Sequence, residues 1–174
     1  PNDSIFSEEE FDKNLPSSDC QEFLWIIDPI CGTTNFLYQF PFYSHSLSLF
    51  RNNECIAAGV YDPLREEMFF SEKGSFFVND KKLEIKKKVK LAEAVISVNT
   101  NQSKTDKSTY SIQKIVTCLA PPVCRRIHIL ESANLEMAYV ACGRLDAYFN
   151  PFDKPWDFLA GMSFLHSAKG VSEV

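Results

Sequence analysis

The sequence predicts an α+β fold in which helices are layered on a largely antiparallel sheet, and three observations predict it. The segment from 44 to 85 alternates polar and apolar residues in short runs separated by turn residues. Three later segments place apolar residues at helical spacing and stop at proline or glycine. A single apolar run, EFLWIID at 22–28, has the length of one buried strand. Strands gathered first and helices later favour mixed layering over a doubly wound parallel sheet.

EFLWIID ends on Asp28. Pro29 and Gly32 then break the run, and TTNFLYQF is predicted to begin a helix with Thr33 or Thr34 as its N-cap. SHSLSLF (44–50) has period two and reads as a strand; RNNE turns the chain, and CIAAGVYD (55–62) answers as its antiparallel partner. REEMFFSEKGSFFVNDKKLEI supplies two more short strands, with Gly74 and Asn79-Asp80 at the turns. The basic run KKLEIKKKVK (81–90) continues the alternation, which favours a solvated strand edge carrying lysines over a nucleic-acid patch.

AVISVNT (94–100) is a further strand. Ile112, Ile115, Val116 and Leu119 recur at helical spacing until Pro121-Pro122 stops the helix. ESANLEMAYVACG (131–143) is helical, with Leu135, Ala138, Tyr139 and Cys142 on one face and Gly143 closing it. LDAYFN (145–150) is a strand, and KPWDFLAGMSFLHSAKG (154–170) is a helix with Pro155 in its first turn and Gly170 at its end. GVSEV reads as the start of another strand. With the abrupt opening PNDSIFSEEE, this predicts a portion of a longer domain, 1–174 forming a single unit.

The 174 residues are 45% hydrophobic and 13% aromatic, enough for one well-packed core. Eighteen Lys and Arg face 23 Asp and Glu, a net charge of −5, which argues against a general nucleic-acid binder. No apolar run approaches the ~20 residues of a membrane span. The six cysteines form no C-x-x-C pair and no zinc-ligand spacing, so they are expected to be reduced, in a cytoplasmic protein. His45 and His166 fall within strand and helix patterns and are expected to be structural.

Three acidic sites stand where chain geometry exposes them: Glu8-Glu9-Glu10, Asp28 at a strand end, and Asp157 in the first turn of a helix. Carboxylates at strand ends and helix starts can converge on one edge of a sheet, and an oxygen-only donor set suits Mg²⁺. Each acid also has a plain structural reading, as a solvated charge run, a turn acid and a helix-dipole partner respectively. Beside Asp28, Gly32 allows the backbone to approach a ligand, and the amides of a helix start attract an anion such as phosphate.

WIIDPICGTTNF resembles the signature W-x-x-D-P-x-D-G-T-x-N-F of the inositol monophosphatases. SIFSEEE is similar to that family's S-F-x-G-E-E segment. AYVACGRLDAY and KPWDFLAG are similar to its A-Y-V-A-x-G-x-x-D-A-Y and K-P-W-D-x-A-A-G. The motifs keep the family's order and spacing across most of the chain. The resemblance implies a layered α-β-α-β-α sandwich, here without the family's amino-terminal helices and its last strands and helix. It also implies Mg²⁺-dependent hydrolysis of a phosphate monoester, with Mn²⁺ as a second candidate ion, lithium sensitivity and a homodimer. By position, Glu8, Asp28, the Ile30 carbonyl and Asp157 would be metal ligands, with Asp28 bridging two ions. The backbone of Gly32 and Thr33 would hold phosphate, Thr33 would orient the attacking water, and Ser132, Ala133 and Asn150 would line the pocket for the organic half.

Cys31 departs from this pattern, standing where the family has a metal-ligating aspartate that also touches a substrate hydroxyl. A thiol is a poor Mg²⁺ ligand, so the expectation is reduced activity, with the second metal weakened most. A nucleophilic Cys31 is disfavoured, because CGTTNFLYQF lacks the arginine that would clamp a phosphate. Ser7 replaces a glycine, His128 and Glu131 sit where the family commonly has R-x-x-G-S-A, and Asn150 stands for a glutamate of inositol-selective members. Two other readings stay open: a non-catalytic relative serving as a binding or assembly protein, and a fructose bisphosphatase or bisphosphate nucleotidase relative.

Overall fold

The computed structural model describes residues 3–10, 23–85, 89–100, 106–151 and 154–173. A seven-stranded sheet is built from β1 (Ser4–Ser7), β2 (Leu24–Cys31), β3 (Ser44–Arg51), β4 (Glu54–Asp62), β5 (Glu67–Glu72), β6 (Ser75–Val78) and β7 (Lys81–Leu83). The strands lie in sequence order; β1 runs parallel to β2, and every later pair is antiparallel. The 65–85 segment therefore holds three strands rather than two, because Asn79-Asp80 turns the chain tightly enough for Lys81–Leu83 to pair back onto β6. Its exposed Lys81 and Lys82 line the sheet edge, as the lysine alternation predicts. Residues 86–88 of that run, Cys20 and Glu10's side chain lie outside the described residues.

A second, three-stranded sheet is wholly parallel, in the order β10 (Ala147–Phe149), β8 (Val95–Val98), β9 (Arg126–His128). The sequence pattern did not foresee parallel pairing here, nor β1 and β9 as strands. On one face lies α2 (Asp106–Leu119), whose Ile112, Ile115, Val116 and Leu119 pack on Ile96, Val98 and Cys124. On the other lie α3 (Ala133–Ala141) and α4 (Pro155–Ser167). These two helices are sandwiched between the sheets: Leu135, Ala138, Ala160 and Phe164 share a core with Val60, Phe69 and Phe76. Their close approach needs Gly161, where a Cβ would come within 2.5 Å of Met137. The layers thus run sheet, helix pair, sheet, helix, in line with the expected sandwich.

β3 keeps its period-two alternation but turns serine inward. Ser44, Ser46 and Ser48 are buried while His45 and Leu47 are exposed. Small side chains let the helix pair come close, and each hydroxyl that binds finds a helix partner, as Ser46 does at Asn134 (3.0 Å) and Ser71 of β5 does at Ser163 (2.8 Å). The leucines instead join Trp25, Ile27, Tyr61 and Met68 in an apolar groove of about 600 Å³ on the outer sheet face.

Four smaller expectations are corrected. The helix predicted at 131 starts at Ala133, because Glu131 is held at φ +60° and cannot continue it backwards. Residues 171–173 carry no strand. The 33–40 helix is one short element, α1 (Thr33–Leu37). Its N-cap is neither threonine but Gly32, in the left-handed region at φ +97°. The five described cysteines form no disulfide, and no described helix is long and apolar enough to cross a membrane.

Candidate active site

The end of β2 brings together the candidate residues. Register with β3 slips between Asp28 and Cys31, so the strand bends where Pro29 removes a donor. The Asp28 side chain folds back onto its own turn, its Oδ1 accepting the Ile30 amide at 3.0 Å. Asp28 is 1% exposed, and its Oδ2 is buried without a hydrogen-bond partner. Burial first, then the charge of Glu8, pushes its carboxyl up to about 7, with Asp157 adding repulsion and the Cys31 thiol and Ile30 amide offsetting part of it.

Glu8 and Asp157 complete an acidic trio drawn from three distant parts of the chain. β1 delivers Glu8 because its parallel pairing sets Ser7 beside Ile27, one residue before Asp28. α4 delivers Asp157 from its first turn, where Oδ2 accepts the Lys154 amide at 3.1 Å. Burial raises the Glu8 carboxyl, and the charges of Asp157 and Glu9 raise it further. Asp157 is likewise raised by burial. The Lys154 ammonium offsets part of both shifts, a cation the sequence patterns did not single out. Among the described residues no three His, Cys, Asp or Glu side chains are gathered into a ready-made metal cage. Yet an orphaned buried carboxylate oxygen, on a carboxyl that the charges of two further acids raise, fits a hard divalent cation, which would relieve their mutual repulsion.

Cys31 does not fit that cation. It is 3% exposed, and burial followed by the Asp28 charge pushes its thiol well above the ordinary value. The Asn134 amide approaches Sγ at 4.0 Å. A protonated, buried thiol is a packing element here. Ile30 O accepts the Thr33 hydroxyl at 3.1 Å, which fixes the exposed Thr33 above the turn. Gly32 is irreplaceable in this frame: besides its positive φ, a Cβ would meet Glu131 O at 3.1 Å, Ser132 Cβ at 3.2 Å and Phe42 O at 3.3 Å. Ser132 Oγ donates to Cys31 O at 2.9 Å, and Asn35 Nδ2 donates to Leu130 O at 2.6 Å. Ser132 and the buried Ala133 are thereby docked onto the turn. Asn150 is placed differently: its amide donates to the Tyr148 hydroxyl at 2.9 Å, and it lines a cavity of about 680 Å³ with Asp146, Tyr148 and Pro151. His45 Nδ1 hydrogen-bonds Pro29 O (2.5 Å), and His166 Nε2 hydrogen-bonds Ser172 Oγ six residues on (2.9 Å).

A sequence profile of the inositol monophosphatase family matches residues 1–172. The chain belongs to the inositol monophosphatase family. It is 39% identical over 149 residues to the Nus factor SuhB of Xylella fastidiosa, covering 84% of this chain and 53% of that protein. It is 34% identical over 173 residues to a fructose-1,6-bisphosphatase/inositol-1-monophosphatase of Thermotoga maritima, covering 98% of this chain and 62% of that protein. The crystal structure of extragenic suppressor protein suhB from Bartonella henselae superposes with a TM-score of 0.84 at 27% identity, over 94% of this chain and 62% of that one. The chain thus spans between half and two-thirds of these inositol monophosphatase-family proteins, and its layered sandwich is theirs.

Two buried polar side chains escaped the sequence reading, although a polar residue inside an otherwise apolar helix was a readable signal. Asn134 donates to Ser46 Oγ (3.0 Å) and Trp156 O (2.7 Å) and accepts the Gly161 amide (3.2 Å), tying β3, α3 and α4 together beneath the trio. Glu136, fully buried, accepts the Ser97 hydroxyl and the Ser132 amide, the latter at 3.0 Å. Burial pushes Glu136 from its ordinary 4.5 to about 7. Between those values the unfolded chain has released a proton that the folded chain still holds, so stability falls as pH rises through that window. Glu136→Gln removes this loss. Its amide can donate to Ser97 Oγ while its carbonyl accepts from Ser132. The unfolding free energy from urea titration should be lower at pH 8 than at pH 5 in the parent, and the drop should be about 2 kcal/mol smaller in the variant.

Proposed function

We propose that this chain carries the catalytic centre of a divalent-cation-dependent phosphatase acting on a phosphate monoester of a polyol or sugar. The observation that supports this most directly is the buried, unpartnered Asp28 Oδ2 beside the Gly32 turn, with Glu8 and Asp157 near enough for their charges to raise the Asp28 carboxyl. In this reading Glu8, Asp28, the Ile30 carbonyl and Asp157 hold Mg²⁺, or Mn²⁺ in its place. A cation bound there lowers the pKa of its water and neutralises charge on the phosphoryl oxygens and leaving group. The left-handed Gly32 turn offers its backbone to the phosphate, and Thr33 orients the attacking water through the hydroxyl that also binds Ile30 O. Lys154 adds positive charge beside the acids, which favours an anionic substrate. Ser132, Ala133 and Asn150 receive the organic half, and the assembly is a homodimer.

The buried thiol of Cys31 supports a second reading, in which the chain binds its ligands without turning them over efficiently. Release of inorganic phosphate from inositol monophosphate and from glycerol 2-phosphate, with Mg²⁺, with Mn²⁺ and with chelator, decides between them. Cation-dependent release that Asp28→Asn abolishes supports the phosphatase. Uptake of cation and ester without any release supports the binding protein.

A further inference from the structure

The carboxyl ends of the parallel strands form a topological switch point. β8 comes first in the chain but lies in the middle of the sheet, so the connections leading to β9 and β10 diverge to its two sides. Ligands favour the carboxyl ends of parallel strands at such a switch point. The residues found there are Asn99 and Thr100 after β8, Glu131 after β9 and Asn150 after β10. This strand end abuts the Gly32 turn, because Leu130–Ser132 is clamped to it and the Glu131 carbonyl lies 3.1 Å from where a Gly32 Cβ would be.

Glu131 is the unusual member. At φ +60° it occupies a backbone conformation that favours glycine, yet it carries a long acidic side chain. That side chain is pinned: Oε1 accepts both the amide of Thr100 at 2.9 Å and its hydroxyl at 2.5 Å. The carboxylate therefore bridges the ends of β8 and β9, is only partly buried, and has no ion-pair partner among the described residues. Glu131 thus adds a further carboxylate on the segment docked against the Gly32 turn, beside which Glu8, Asp28 and Asp157 stand.

We propose that Glu131 is a specificity-determining residue that admits an uncharged, hydroxyl-bearing organic half and rejects a substrate carrying a second phosphate. This rests on the phosphatase reading above and names its substrate class. A carboxylate accepts hydroxyl hydrogen bonds but repels a phosphate dianion, and discrimination by like charge is a common route to specificity. A pinned carboxylate cannot swing away to admit that anion, which is what the Thr100 clasp contributes.

The test compares Glu131→Gln with the parent chain in Mg²⁺, using inositol monophosphate and fructose 1,6-bisphosphate, by calorimetric affinity and by phosphate release. The glutamine carbonyl keeps both Thr100 hydrogen bonds, so a merely structural role predicts no change in the ratio between the two esters. The expected result is about a tenfold gain in affinity for the bisphosphate, with the monophosphate within about twofold. Added salt should narrow the gap between the two esters in the parent and not in the variant. An unchanged ratio overturns the role of Glu131 even where phosphate is released. A shifted ratio without any release upholds Glu131 and overturns the hydrolase. Failure of both esters to bind overturns both.

Discussion

Asp28→Asn should leave the chain more stable and less functional. At pH 8 and without divalent cation, the unfolding free energy measured in urea is expected to rise by about 1–2 kcal/mol, while cation uptake and cation-dependent phosphate release fall by at least about 100-fold. The gain follows from the cost of ionising Asp28, a 1% exposed carboxyl raised to about 7 by burial and by Glu8. Above that pH the parent folds with a buried charge that its neighbours oppose. Asparagine keeps the oxygen that accepts the Ile30 amide (3.0 Å) and puts an uncharged amide in place of the unpartnered Oδ2. Stability that rises when a polar group is neutralised marks a site held under electrostatic strain for function. A fall in stability with intact cation uptake would mean that Asp28 is an ordinary turn acid.

Cys31→Asp should act in the opposite sense. A fourth carboxylate at a 3% exposed position beside Asp28 destabilises the cation-free chain, since burying an unpaired charge costs at least about 2 kcal/mol. Mg²⁺ should then recover more than that loss, and turnover of a phosphate monoester should rise about 10- to 100-fold over the parent. Melting curves with and without Mg²⁺, read beside phosphate release, separate the two readings of the chain. Strong recovery with no added turnover would make it a binding protein that retains its acids, and no recovery would leave the cation without a second seat.

The antiparallel meander was legible because strands of eight or nine residues, such as β3 and β4, repeat with period two and are joined by tight Asn- and Gly-containing turns. α4 was legible from Pro155 and the helical spacing behind it. The parallel sheet was not, since β9 is only Arg126–His128 and becomes a strand by docking beside β8 rather than by its own pattern. β3 illustrates a subtler gap: periodicity gives the two faces, but only the nearness of α3 and α4 explains why the buried one carries serine. At the site, Asp28, Gly32 and Asp157 were readable as strand end, turn and helix start. The N-cap was not, because threonine's capping preference yields to the left-handed Gly32 once Glu131 and Phe42 crowd it. Asn134, Glu136 and Lys154 act only through neighbours from other elements, which no local pattern records.

The most direct test of whether Glu8, Asp28 and Asp157 jointly seat a hard cation is calorimetric titration of the full chain with Mn²⁺, repeated for Glu8→Gln, Asp28→Asn and Asp157→Asn. A common seat predicts saturable uptake by the parent and at least about tenfold weaker uptake by each variant, with Asp28→Asn the weakest. Uptake that none of the three substitutions alters, or none at all by the parent, would contradict it.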